Sequence, residues 1–153
     1  MFRKLIHTDD NLASLVLRVM LAVVFFPHGA QKVLGWFGGY GFEASLNAFT
    51  ANMGIPAFLV ILVFCAEFFG PMLLLSGAFS RFAAFGIACN MTGAIFIVHT
   101  PYGFFMNWSG TQQGEGFEFH LLAIAMALAI MIMGSGRWSI DRLLTRRWLR
   151  KGS

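Results

Sequence analysis

The chain has 153 residues, 58% of them hydrophobic and 12% charged, with a mean hydropathy of +0.70. Charged residues make up about a quarter of an ordinary soluble domain, so a water-soluble globule is excluded and one integral membrane domain over 1–153 is expected. The net charge of +4 is concentrated, because six of the eleven Lys and Arg residues lie in the last 17 positions. Such a segment beside an apolar run meets anionic headgroups, so the lipid bilayer is the expected partner and nucleic acid is not.

In chain order, a polar head (Arg3, Lys4, then Asp9, Asp10 and Asn11) leads into a first apolar span at about 12–31. The acidic and amide residues are good helix-entry groups. No small-residue cleavage site follows, so an uncleaved signal anchor fits. Between the first two spans, Phe42, Leu46, Phe49 and Met53 recur at helical spacing opposite Glu43, Asn47 and Thr50. This predicts a short interfacial amphipathic helix, a collar over one bundle end.

The second span is expected at 56–76, from Pro56 to the Ser76–Gly77 stop, and the third at 82–98, ended by Thr100 and Pro101. The fourth is expected at 117–134. These lengths are near the roughly 20 residues that cross a bilayer at 1.5 Å per residue. The predicted fold is all-α, a four-helix transmembrane bundle, with a basic tail over 137–153. With four spans both termini share a side. Arg3, Lys4, Arg81 and the six tail cations outnumber Lys32 and place them in the cytoplasm.

Cys65 and Cys89 lie inside apolar spans without CxxC or zinc-ligand spacing. They are expected as small core thiols. No flavin, haem or nucleotide motif occurs and no HExxH, so no metal and no intrinsic cofactor are expected.

The polar residues within the spans are the candidate site, since an ionisable group at membrane depth is expensive unless paired or solvated. Counted at 1.5 Å per residue from each cytoplasmic end, Arg18 lies at about 10 Å and Glu67 and Asn90 at about 13 Å. This predicts a structural Arg18–Glu67 ion pair. The carbonyl of Glu67 lacks a helical donor, because Pro71 has no N–H. Asn90 falls on a stripe with Gly86 and Gly93 that allows close helix approach. His28, His99 and His120, with Glu118, fall at about 24 to 27 Å, and Gln31 and Lys32 share the face of His28. His28, Lys32, Glu67 and His120 are the candidates for catalysis; His28, Gln31, His99, Glu118 and His120 are those for binding a small molecule. Imidazoles there suit proton exchange with a quinone, a metal or an anion, and equally suit headgroup contact with no chemistry.

Together the runs His28–Gly29–Ala30–Gln31–Lys32, Ala66–Glu67–Phe68–Phe69–Gly70, Ser80–Arg81, Glu118–Phe119–His120–Leu121 and Arg137–Trp138–Ser139–Ile140–Asp141 resemble the DoxX family of small bacterial membrane proteins. The resemblance spans about 12–142. It implies a four-helix bundle in the bacterial inner membrane and highlights His28, Gln31, Lys32, Glu67, Gly70 and Arg81. Pro71 stands where the family pattern has another small residue. Some relatives are subunits of membrane redox systems, linked to quinone or to sulfur and thiol chemistry. A redox subunit or accessory, with quinone as the expected ligand and redox-enzyme subunits or a second copy of the chain as expected partners, is therefore the leading expectation. A non-enzymatic structural or assembly partner is the alternative, and small-solute transport ranks third.

Overall fold

The computed structural model describes residues 5–151, with side chains described through 148. Arg3 and Lys4, and the side chains of Arg150 and Lys151, counted above as cytoplasmic charge, lie outside that description. Helices α1 (Leu12–Leu34), α2 (Gly41–Asn47), α3 (Ala57–Ser76), α4 (Ser80–Ala94), α5 (Glu118–Met133) and α6 (Ile140–Lys151) follow one another. No strand occurs among the described residues. Three helical stretches, Leu12–Leu34, Ala57–Ser76 and Ser80–Tyr102, are long and apolar enough to cross a membrane, and Glu118–Met133 is a shorter apolar helix.

Caps set these limits. Asn11 opens α1 by accepting from the N–H groups of Ala13 (2.9 Å) and Ser14 (3.3 Å). Gly77, at φ 67°, closes α3 in the left-handed conformation. Beyond Ala94, α4 widens into a π turn, Ile95–His99, and ends as a short 3₁₀ turn, Thr100–Tyr102.

The long helices form a ring in which α1 packs on α3, α3 on α4, α4 on α5 and α5 on α1. Leu21, Phe25, Leu74, Ile87, Met91 and Ile130 fill its middle. Large apolar side chains also cover the outside, among them Phe58, Leu62, Phe82, Phe96, Leu122 and Ile132. An apolar core inside an apolar coat is the arrangement of a chain solvated by lipid. Cys65 and Cys89 belong to the coat: both are exposed free thiols, so the expected core placement is corrected. Burial on a two-sided apolar helix depends on azimuth, which composition does not reveal.

The contact between α1 and α3 fixes their stagger. A Cβ on Gly29 would run into the backbone of Glu67 and Phe68, and one on Gly77 would lie 3.2 Å from Cζ of Arg18. Counted from the Gly29 contact, α1 begins roughly 13 Å beyond the end of α3, and the Arg18 side chain ends beside Gly77. Close approach occurs at Gly29 rather than on the Gly86 and Gly93 stripe. Gly86 offers an ordinary 3.5 Å contact to Ala66, and Gly93 faces open space.

Helix α2 runs into a π turn, Ala48–Asn52. Its apolar face lies on Phe64 of α3, with Phe42 and Phe49 at ring distances of 5.7 and 5.9 Å, both edge-on. Both ends of the described chain meet at the opposite end of the ring, where Arg137 N–H donates to the Asn11 carbonyl (3.1 Å) and the Thr145 hydroxyl to the Ile6 carbonyl (3.1 Å). This is the basic end; the one carrying α2 and the 103–117 segment is the loop end.

Candidate functional site

At the basic end, Arg18 spends all five N–H donors on backbone carbonyls. Nε reaches Ser135 (2.9 Å), Nη1 reaches Leu74 and Leu75 (both 2.7 Å), and Nη2 reaches Arg137 (3.1 Å) and Trp138 (2.6 Å). The Leu74 carbonyl also takes the capping N–H of Gly77 (3.1 Å), and a buried cation at the end of α3 adds a second donor there, takes the Leu75 carbonyl and meets the negative end of the helix dipole. The Arg18–Glu67 ion pair is thus not formed. Depth counted from each cytoplasmic end assumes that these ends share one plane, and the stagger of α1 against α3 removes it.

Two neighbours work in the same way. Arg81 caps α5 through Nε to Met131 (2.8 Å) and Nη2 to Ile132 (3.1 Å), and also bonds the His7 carbonyl. Phe79, at the N-cap position just before α4, has a side chain that cannot cap. Asp141 supplies the acceptor from α6, taking the N–H groups of Phe79 (2.9 Å) and Ser80 (3.3 Å) and the Ser135 hydroxyl. Asp10, on the exposed rim, bonds Arg137 (2.8 Å) and Arg142 (2.8 Å), with Arg146 at 3.9 Å. The hydrogen bond from Arg137, helped by the charges of all three arginines, holds the Asp10 carboxyl below its ordinary value of 3.8.

Glu67 belongs elsewhere. Its side chain, 7% exposed, pairs with Lys32 through Oε2 and accepts from Asn90 Nδ2 at 2.7 Å through Oε1, which joins α1, α3 and α4. Lys32 also lies 3.5 Å from the His28 carbonyl. Helical side chains lean toward their own N-terminus, so Lys32 reaches down α1 toward Glu67. The same lean carries Arg18 toward the end of α3.

The expected layer of imidazoles and carboxylate divides. His99 and His120 come together with ring centroids 4.0 Å apart and planes at 44°. Nδ1 of His99 lies 2.8 Å from the Glu115 carbonyl. His120 is 6% exposed, and its Nδ1 is buried with no hydrogen-bond partner among the described residues. Glu118 turns away to hold the following segment, accepting from Met106 N–H (3.0 Å) and Trp108 Nε1 (3.1 Å). Gln31 donates to the Phe37 carbonyl (3.1 Å), clamping the turn after α1. The His28 side chain is exposed. No group of three His, Cys, Asp or Glu able to hold a metal ion occurs among the described residues.

What the residues offer is therefore one buried ion pair with an amide and one imidazole pair with an open nitrogen. The family model for DoxX matches residues 13–100, which carry Arg18, Lys32, Glu67, Arg81 and Asn90. The chain belongs to the DoxX family. This DoxX protein is 28% identical to the Inner membrane protein YqjF of Escherichia coli (strain K12) over 139 residues, 91% of this chain and 97% of that one. It is 26% identical over 131 residues to the "Putative oxidoreductase CatD" of Bacillus subtilis (strain 168), covering 86% of each chain. It is 27% identical over 150 residues to the Uncharacterized membrane protein Rv3486 of Mycobacterium tuberculosis (strain ATCC 25618 / H37Rv), covering 94% of this chain and 88% of that one. No solved structure gives a significant match.

Sequence reasoning missed how far Ser80, Arg81, Ser135 and Asp141 of this DoxX protein act as one unit. A signal was present: α4 opens at Phe79 without a capping side chain of its own, and a helix start without one needs an acceptor from elsewhere.

Proposed function

We propose that the protein is a four-helix bundle of the bacterial inner membrane, with α5 as its fourth span, α2 at the interface and both termini cytoplasmic, and that it serves a membrane redox system by holding a quinone headgroup at His99 and His120. One observation carries the reading: the unpartnered Nδ1 of His120 in a buried position at the loop end. An unsatisfied buried polar nitrogen costs about 1–3 kcal/mol, and a ligand oxygen placed there would recover it. A neutral imidazole protonated at Nδ1 donates to a quinone carbonyl, and the other tautomer accepts from a quinol hydroxyl. The word oxidoreductase in the name of the similar Bacillus subtilis protein, CatD, supports a redox setting. Electrons would pass to a partner subunit with its own carrier, while this chain orients the headgroup and exchanges its proton.

The test is binding of a decyl-chain quinone to the detergent-purified protein. Wild type is expected to bind. His120→Leu is expected to lose about tenfold in affinity, the value of one such hydrogen bond, with little change in unfolding temperature because Nδ1 gives up no internal bond. Absence of binding by wild type, or equal binding by His120→Leu, overturns the reading.

The second reading, a structural or assembly partner, draws on the basic end, where Arg18, Arg81 and Asp141 serve the fold itself. The filled middle of the ring argues against solute passage through a single copy.

A further inference from the structure

A groove of about 460 Å³ opens at the basic end, and its lining includes the cations Arg137, Arg142 and Arg146 and the apolar residues Trp138, Ile140 and Leu143. Asp10 is the acidic residue among those lining it. Arg142 and Arg146 are one turn apart on α6, so their guanidinium groups converge on the same side. Three cations share one carboxylate, which leaves the groove with two positive charges in excess.

The position is enforced from beneath. Trp138 adopts φ 52°, a left-handed conformation that is costly for a bulky residue. Arg18 stabilises it by bonding the carbonyls of both Arg137 (3.1 Å) and Trp138 (2.6 Å). The outcome is an indole 79% exposed beside a row of guanidinium groups, just where α3 and α5 end. Ile140 and Leu143 continue the apolar rim. Arginine forks fit phosphate oxygens in pairs, and an exposed indole beside apolar side chains is a headgroup-level anchor.

We propose that this groove binds the headgroup of an anionic phospholipid, the phosphate taken by Arg142 and Arg146, and the glycerol and upper acyl chain lying along Trp138, Ile140 and Leu143. Asp10 acts as the internal competitor, holding the arginines in place and yielding part of its coordination when the phosphate arrives. The helix-end lattice is thereby tied to the lipid around it.

The experiment uses the full chain in a neutral detergent, titrated with phosphatidylglycerol, phosphatidylcholine or inorganic phosphate, with unfolding temperature as the readout. Phosphatidylglycerol is expected to protect and the other two are not. A cation at such a surface is worth roughly fivefold in affinity, so Arg142→Gln with Arg146→Gln should raise the half-saturating concentration about 25-fold. Arg147→Gln, outside the groove, should change it less than about twofold. Asp10→Asn, which keeps every arginine, should lower it, and it remains decisive if the double variant does not fold. Equal protection by phosphatidylcholine or by inorganic phosphate, an equal loss in Arg147→Gln, or no gain in Asp10→Asn each overturns the proposal.

Discussion

The polar residues buried between the helices work in opposite ways at the two ends of the ring, whatever the exposed rim and the connecting segments do. At the basic end, charges meet backbone: Arg18 and Arg81 take the terminal carbonyls of α3 and α5, and Asp141 takes the first N–H groups of α4. Toward the loop end, side chains meet side chains, in Lys32 with Glu67 and Asn90 and in His99 with His120. Charges that close helix ends are tied to backbone that cannot move without breaking the helix, so they are spent on the fold. Side-chain pairs can open, exchange partners or take up a ligand, and the unpartnered nitrogen of His120 lies in that half.

The sharpest way to break this contrast is at Arg18. Arg18→Leu strands the carbonyls of Leu75, Ser135, Arg137 and Trp138 and leaves Leu74 with the Gly77 N–H alone, and a loss of about 4 kcal/mol is expected, read as denaturation in detergent. Arg18→Lys, with fewer donors and no fork, should recover only a minor part.

At Lys32 and Glu67 the effect should be smaller, because the Lys32 side chain is 21% exposed and can turn to solvent or headgroups. Glu67→Gln should cost about 2 kcal/mol, and Lys32→Met combined with Glu67→Gln less than the sum of the two, a coupling of about 1–2 kcal/mol in a double-mutant cycle. Additivity would mean that the pair contributes nothing as a pair.

The weakest expected effect is at the rim. The Asp10 carboxyl is held below 3.8 in the folded chain, so its contribution is present above that value and disappears as pH falls through the lower, folded one. Lowering pH from 5 toward 3 should therefore depress the unfolding temperature of wild type slightly more than that of Asp10→Asn. Identical slopes would show that the three arginines are held by other contacts.

Much of the helical layout was legible because its signals are local. Asn11, Pro56, Gly77 and the Thr100–Pro101 pair mark helix limits to within a few residues, and apolar length does the rest. The pairing of polar residues was not legible by the same means. It depends on the stagger set by Gly29 against Glu67, and on side chains leaning toward the helix start, which moves Arg18 and Lys32 by about a turn in the same direction. His99 and His120 were placed at a common level, and they do meet. His28, Gln31 and Glu118 were placed there too, and Gln31 and Glu118 serve the connecting segments instead.

The π turn at Ile95–His99 carries one residue more than an α-helix would need to cover the same path. Such a surplus shifts the residues beyond it by about 100° around the helix, and His99, the last residue of the turn, lies against His120. Among homologues, then, a one-residue gap between positions 94 and 99 is not a neutral length change. Loss of one residue there would turn position 99 away from His120 even in a chain that keeps both histidines.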